Sequence, residues 1–164
     1  MRKAVVLLAG LIILVVANYS IYSRERLLTE GAVVLLQLAP VDPRSLMQGD
    51  YMALRFQVAN DIRQRVGGEE AHDGNAIVTV DERRVGAFVR IDDGTPLAAN
   101  EVRMHFRMRE RQIKFATNAF FFQEGTASAY AKARYGELRV GGDGESILTG
   151  LRDEQLGPLG AGDR

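Results

Sequence analysis

The sequence predicts a mainly β protein, with a single N-terminal transmembrane helix followed by one antiparallel β-rich domain that carries one or two short helices. Three observations support this fold class. An apolar segment opens the chain, short stretches with alternating apolar residues recur after it, and turn-forming residues separate these stretches. With 164 residues, the chain is long enough for one domain with a substantial core.

The first element is an uncharged segment near the N-terminus. Arg2 and Lys3 precede residues 4–22, a stretch of nineteen residues without a charge. A helix of that length, at about 1.5 Å per residue, nearly spans a hydrocarbon core of about 30 Å. The segment therefore predicts a membrane anchor, with a cleaved signal peptide or a buried helix as alternatives. The two leading cations favour an orientation with the rest of the chain outside the cytoplasm.

Two strand patterns follow the anchor. Residues 32–38 form an apolar run rich in branched side chains, which is typical of a strand covered on both faces. In residues 50–56, Met52, Leu54 and Phe56 alternate with other side chains. These three residues share one face of a strand, and we expect that face to lie in the core.

The middle of the chain alternates between strand and turn signals. Apolar residues four apart predict a short helix at 57–66, and a polar loop is expected at 67–75. Alternating apolar residues on both sides of the turn "DERR" predict a hairpin at 76–91. The clearest strand is 101–108, with one apolar and one basic face, and a change of parity after it predicts a turn near 109–111.

The last part of the chain is expected to add one strand, one short helix and one hairpin. The strand lies in "NAFFFQEG", and the helix covers 126–136, with Thr126 as its N-cap and Gly136 at its end. A hairpin at 137–151 follows. We therefore expect a membrane anchor at 1–26, a β-rich domain at 27–152 and a disordered tail at 153–164.

Composition excludes several classes of function. The 21 Lys and Arg residues balance the 21 Asp and Glu residues, so no overall field favours nucleic acid. The chain has no cysteine, and it lacks a phosphate-binding loop, a His-Glu-x-x-His helix and a nucleophile elbow. His72 and His105 are its two histidines. We therefore expect no enzyme activity, no catalytic residue, no cofactor, no metal site and no nucleic-acid partner.

Two surface features have more than one interpretation. The basic strand face, formed by Arg90, Arg103, His105 and Arg107, is expected to be a solvated face whose arginines pair with nearby glutamates. The alternative is contact with anionic headgroups or an acidic partner. The rings of Phe120 to Phe122 are expected to supply core; the alternative is that the outward side of the strand, either Phe121 or Phe120 with Phe122, covers a partner surface.

The stretch "PVDPRSLMQGDYMALRF" makes the strongest backbone demands in the chain. Asp42 followed by Pro43 suits the start of a type I turn, and Gly49 can supply a positive φ before the next strand. Asp50 can accept amide N–H groups of the loop, with Arg44 as its countercharge. The stretch therefore predicts a tightly held turn between two core strands, or a contact loop.

The same stretch resembles the signature of the GDYXXLXY family, small membrane-anchored bacterial proteins. Gly49, Asp50, Tyr51 and Leu54 match that signature, whereas Phe56 replaces its final tyrosine. The resemblance covers most of the chain. It implies an anchored extracytoplasmic domain, often associated with multi-pass membrane proteins, and no established biochemical activity.

We therefore expect an accessory or binding protein of the bacterial cytoplasmic membrane. Its expected partners are the lipid bilayer, through residues 4–22, and a multi-pass membrane protein. The candidate residues for partner binding, or for a structural motif, are Asp42, Pro43, Arg44, Gly49, Asp50, Tyr51 and Leu54.

Two alternatives remain at this point. Type I signal peptidases are similar in being anchored and β-rich, but their nucleophile position falls on Val41 here, and valine cannot attack a carbonyl. Ser45 with Lys114 or Lys132 would have to act instead. The other alternative is a periplasmic module that binds a small or lipidic ligand inside the β structure.

Overall fold

The computed structural model shows a mainly β chain behind one long N-terminal helix, which confirms the predicted fold class. It describes residues 2–39, 47–48, 51–67, 72–110, 112–117 and 119–160. The elements are α1 (Arg2–Glu30), β1 (Ala32–Gln37), β2 (Met47–Gln48), β3 (Tyr51–Ala53), α2 (Gln57–Val66), β4 (His72–Val80), β5 (Val85–Ile91), β6 (Glu101–Arg109), β7 (Gln112–Lys114), β8 (Ala119–Phe121), a 3₁₀ helix (Ala127–Tyr130), β9 (Tyr135–Val140) and β10 (Ser146–Arg152).

Helix α1 projects from the β structure and extends past the expected boundary at residue 26. Its segment Leu7–Glu30 is long and apolar enough to cross a membrane, and none of its apolar window is buried. The alternative of a buried core helix is therefore wrong. A membrane anchor and a signal sequence both fit this helix, since each combines these properties near an N-terminus.

A single residue, Gly31, joins α1 to β1. Its N–H donates to the carbonyl of Leu27 at 3.1 Å, and its own carbonyl accepts from the Arg139 guanidinium at 3.2 Å. Leu27 Cδ1 also approaches Gly141, because a Cβ atom built there would lie 3.2 Å away. The end of the helix is thus attached to the β structure.

The larger sheet has seven strands in the order β10-β9-β1-β5-β4-β6-β7. Strands β1 and β5 run parallel, with Leu35 opposite Val85, whereas the other neighbouring pairs are antiparallel. Parallel neighbours require a crossover, and here the crossover contains β2, β3, α2 and β4. The predicted hairpins, β4–β5 and β9–β10, are both present.

The large sheet curls so that the β9–β10 turn contacts β6. The His105 N–H donates to the carbonyl of Gly144 at 2.8 Å, although β1, β5 and β4 lie between β9 and β6 in the strand order. Gly144 has a φ of 89° and is buried against Arg103 and His105. A glycine suits this position because other residues rarely adopt that φ.

A second sheet, in the order β2-β3-β8, lies beyond the end of β1. Leu38 bridges to Phe56, and the Ala39 N–H donates to the carbonyl of Arg55 at 2.7 Å. Residues 51–56, which we call the motif strand, therefore pair at their end with the residues that follow β1, in antiparallel orientation. The face that Met52, Leu54 and Phe56 share was predicted to lie in the core, and the structure confirms this.

The core combines both sheets and α2. Its most buried side chains are Val34, Leu36, Met52, Leu54, Phe56, Val58, Ile62, Val78, Met104, Phe106, Met108, Leu138 and Leu151. The predicted helix at 57–66 is confirmed, since Val58 and Ile62 direct one face of it into this core.

The helix expected at 126–136 is wrong for most of its length. A 3₁₀ helix covers Ala127–Tyr130, and Thr126 donates its hydroxyl to the carbonyl of Gln123 at 2.6 Å instead of capping the helix. Strand β9 begins at Tyr135, so Gly136 is a buried strand residue. Hydrogen bonds to both neighbouring strands outweigh the helix propensity of the alanines.

Two further expectations need correction. The polar segment expected to be a loop at 67–75 contains the start of β4, where His72 lies opposite Met108 of β6. The tail expected to be disordered from residue 153 is ordered over residues 153–160. The Leu159 N–H donates to the carbonyl of Leu151 at 2.9 Å, and Leu159 packs against the core.

Candidate functional site

Part of the predicted site lies in the motif strand, which leads into α2. The structure describes Tyr51 and Leu54 of this site, together with Met52, Ala53, Arg55 and Phe56. The remaining predicted residues lie outside the described residues: Asp42, Pro43, Arg44, Gly49 and Asp50.

The two sides of this strand have different environments. Leu54 is 2% exposed and belongs to the core, so its role in the motif is packing. Tyr51 is half-buried and Arg55 is exposed on the other side. Of the two described motif residues, Tyr51 is therefore the one that a partner can reach.

Phe121 is the aromatic neighbour of Tyr51 on this side of the strand. The two residues are directly opposite each other in the β3–β8 pairing, and their ring centroids are 5.8 Å apart at an angle of 41°. Phe121 is 74% exposed. We call Tyr51 and Phe121 the aromatic patch. The sequence predicted that one side of Phe120 to Phe122 points outward but left open which side does so.

Tyr130 explains why Phe121 is the outward ring. The Phe120 ring meets Tyr130 edge-on at 5.1 Å, and the Phe122 ring stacks on it at 5.4 Å. Gly160 lies against the Tyr130 hydroxyl and leaves no room for a side chain there. Because its two neighbours are held on the inner side, Phe121 projects to the outer side.

Phe56 occupies the position at which the motif has tyrosine. Its side chain is 2% exposed, and its ring meets Phe115 at 6.0 Å in an edge-on arrangement. The ring is surrounded by core, so packing accounts for an aromatic residue at this position.

The aromatic patch and α1 lie at opposite ends of β1. Strand β1 starts at Ala32, one residue after α1, and the chain reaches Leu38, which bridges to Phe56 at the start of α2. Six residues of strand span about 20 Å at roughly 3.3 Å per residue. The motif strand is therefore far from the helix.

The basic strand face is largely neutralised by ion pairs. Arg90 donates to Glu101 at 2.7 Å, and Arg103 donates to Asp92 at 2.6 Å. Arg90 therefore pairs with a glutamate as expected, whereas the partner of Arg103 is an aspartate. Both arginine side chains are partly buried, at 25% and 31% exposure, so the expectation of a fully solvated face is wrong. His105 Nδ1 lies 3.2 Å from the Asn75 side-chain oxygen.

The same ion pairs change the acidity of their carboxyl groups. Hydrogen bonds from the Arg103 side chain and from the Gly94 N–H lower the pKa of Asp92. A hydrogen bond from the Arg90 side chain, with another from the Ala98 N–H, lowers the pKa of Glu101. Both carboxylates are therefore held in their charged form.

The residues of the alternative functions are not brought together in the described part of the chain. Lys114 and Lys132 are both exposed, and Ser45 lies outside the described residues. Among the residues that the structure describes, no three His, Asp or Glu side chains are grouped so as to hold a metal ion.

Comparison with known proteins gives one match. The sequence matches the family model described as "GDYXXLXY protein" over residues 13–151, which is most of the chain. The matched range includes the motif, the aromatic patch and the end of α1. No curated protein and no solved structure matches the chain.

Proposed function

The chain belongs to the GDYXXLXY family, whose function is unknown, and from this premise we propose that it is a membrane-anchored accessory protein. In this proposal α1 holds the β domain at the extracytoplasmic face of a bacterial cytoplasmic membrane. The aromatic patch binds the extracytoplasmic part of a multi-pass membrane protein. The observation that carries the proposal is the exposed Phe121 ring beside a tyrosine of the family motif.

The anchoring part of the proposal is supported by the exposure and composition of α1. Its apolar side chains are exposed in the free chain, for example Leu11 at 59% and Val16 at 62%. Burial of such surface in lipid is favourable, at about 25 cal/mol per Å². Arg2 and Lys3 at the start of the helix favour a cytoplasmic N-terminus.

The binding part is supported by the chemistry of the aromatic patch. Burying a phenylalanine side chain contributes roughly 1.5–3 kcal/mol. Aromatic residues and arginine are enriched at the centres of protein interfaces, and Arg55 is exposed next to this strand. A ring that is 74% exposed, in a rigid strand, favours contact with an apolar surface of another protein.

The distance between the patch and α1 defines the kind of partner. Since β1 separates the two by about 20 Å, the patch does not face the end of the helix. The partner therefore contributes a loop or domain outside the bilayer.

We propose binding without catalysis. A lysine acts as a general base after burial has lowered its pKa, and the side chains of Lys114 and Lys132 are exposed. Labelling by an active-site serine probe that is lost in Ser45→Ala would contradict this part of the proposal.

The test is mild detergent extraction of tagged full-length protein from its own membranes, with quantitative mass spectrometry of the co-purifying proteins. Phe121→Ser removes the exposed ring. Val89→Ser is the matched control, because Val89 is also an exposed apolar strand residue, at 44%. We expect the wild type and the control to retain the same multi-pass protein, and Phe121→Ser to retain at least about tenfold less of it.

Equal thermal stability of the two variants is required for this comparison. Capture of the same partner at equal yield by Phe121→Ser would contradict the role of the patch. The absence of any reproducible partner from wild-type extracts would contradict the accessory function itself.

A further inference from the structure

A large cleft lies between α1 and the curled sheet, away from the aromatic patch. Its volume is about 960 Å³. Helix α1 forms one wall, and β6, the loop before it and the β9–β10 turn form the other. Both walls lie beside the point where the apolar part of α1 gives way to its charged part.

The cleft changes from apolar to charged along the axis of α1. Val16 and Tyr19 of the helix and Leu97 of the opposite loop line it, and so do Arg24 and Arg107. The eight-residue step from Val16 to Arg24 covers about 12 Å of helix. If α1 spans a bilayer, the part of the helix near Val16 faces acyl chains and the part near Arg24 faces headgroups.

The charges that line the cleft are balanced, and half of them are already paired. Four arginines and four carboxylates line it: Arg24, Arg26, Arg103, Arg107, Glu30, Glu101, Asp143 and Glu145. Arg26 pairs with Glu30, Arg103 with Asp92, and Glu101 with Arg90.

Four charged groups of the lining form no ion pair within 4 Å of another described residue, although Asp143 accepts a hydrogen bond from the Glu145 N–H and Arg107 lies opposite Asp73 in the sheet. They are two cations and two anions: Arg24, Arg107, Asp143 and Glu145. A ligand that carries one phosphate and one ammonium group complements this set. A purely anionic ligand would be repelled by the two carboxylates, because it supplies no positive charge to pair with them.

We propose that the cleft binds one zwitterionic phospholipid of the surrounding bilayer. Arg24 and Arg107 bind its phosphodiester, Asp143 and Glu145 accept hydrogen bonds from its ammonium group, and the acyl chains lie along Val16 and Leu97. Arginine suits this role because its guanidinium forms two parallel hydrogen bonds to phosphate. The inference rests on the anchoring part of the proposed function and is independent of the protein partner.

The test uses full-length protein that has been stripped of lipid in detergent. Phosphatidylethanolamine or phosphatidylglycerol is added back, and native mass spectrometry measures how many lipids each chain retains. The double variant Arg24→Gln/Arg107→Gln removes the phosphate contacts. Arg65→Gln/Arg83→Gln is the matched control, because these two arginines are exposed and do not line the cleft.

We expect one phosphatidylethanolamine per chain in the wild type and in the control. The cleft variant should bind it at least about tenfold more weakly, since two charge-assisted contacts are lost. Phosphatidylglycerol should bind more weakly than phosphatidylethanolamine to the wild type. Glycerophosphoethanolamine, which lacks acyl chains, should not compete at equal concentration.

Equal lipid retention by all variants would overturn the inference, because it would indicate lipid bound around α1 alone. Preference for phosphatidylglycerol would overturn the zwitterionic assignment, and full competition by glycerophosphoethanolamine would show a soluble ligand. Membrane fractionation distinguishes a failure of the anchoring proposal from a failure of the lipid-binding proposal. A chain that is absent from the membrane fraction contradicts anchoring, whereas an anchored chain without a retained lipid contradicts the cleft alone.

Discussion

The ring of Phe56 lies directly on the backbone of Gly136. A Cβ atom added at Gly136 would be 2.7 Å from Cε1 of Phe56 and 3.2 Å from its Cζ. Gly136 lies opposite Leu36 in the β1–β9 pairing, so this contact joins the motif strand to β9, the second strand from one edge of the large sheet. The close approach of the Phe56 ring, and not the end of a helix, therefore requires a glycine at this position.

The first prediction concerns this contact. Gly136→Ala should lower the free energy of unfolding by about 1–3 kcal/mol, because overpacking forces the ring or a strand to move. Chemical denaturation of the full-length protein in mild detergent measures the change. Gly150→Ala is the control, since no atom lies within 4 Å of a Cβ at Gly150. In a Phe56→Leu background the cost of Gly136→Ala should fall, and an unchanged cost would show that the ring is not its cause.

A second prediction concerns the departure from the family motif. In Phe56→Tyr the new hydroxyl would extend from Cζ into the core next to Gly136. A buried hydroxyl without a hydrogen-bond partner costs about 1–3 kcal/mol. We expect this loss in denaturation experiments. Unchanged stability would show that the hydroxyl finds a partner, and that the tyrosine of the motif has more than a packing role.

A third prediction separates two adjacent phenylalanines. Phe120→Ala should cost about 3 kcal/mol, because its ring packs against the core and Tyr130. Phe121→Ala should change stability by less than about 0.5 kcal/mol, because its ring is 74% exposed. Thermal unfolding of both variants measures the difference. Equal losses would mean that Phe121 is also a structural residue.

A fourth prediction concerns acid stability. The lowered pKa values of Asp92 and Glu101 mean that the folded protein binds their protons less readily than the unfolded chain does. Their contribution is complete above the ordinary carboxyl pKa of about 4 and is lost as the pH falls through the lower pKa of the folded state.

Asp92→Asn should therefore reduce the melting temperature at pH 7 and weaken its decrease between about pH 5 and pH 2. Glu82→Gln, an exposed turn residue, is the control and should leave the profile unchanged. A wild-type melting temperature that stays constant as the solution is acidified would contradict the role assigned to the Arg103–Asp92 pair.

Much of the fold could be predicted because burial imposes a period on the sequence. Met104, Phe106 and Met108 alternate with basic residues, and the structure buries these three side chains at 0–2% exposure. The same reasoning found the inward face of Met52 and Leu54. Local periodicity reports which side of a strand is covered, and that information is present in the sequence.

The remaining features depend on contacts between distant parts of the chain. Strand β9 begins in a segment with helical propensity, because β1 and β10 supply its hydrogen bonds. The pairing of Tyr51 with Phe121 joins residues 70 positions apart in sequence. A local pattern contains no information about such a partner, so the aromatic patch could not be located from the sequence alone.

The single-residue junction at Gly31 limits how the protein can search for a partner. A flexible linker of ten residues would let a domain sweep roughly 17 Å from its anchor, whereas α1 passes into β1 within one residue that Arg139 also holds. Under the proposed anchoring, encounter then depends on lateral diffusion of both proteins in the membrane plane. Its frequency follows their surface densities, and insertion of a flexible segment after Gly31 would widen the reach of the domain around its anchor while the search stayed in the membrane plane.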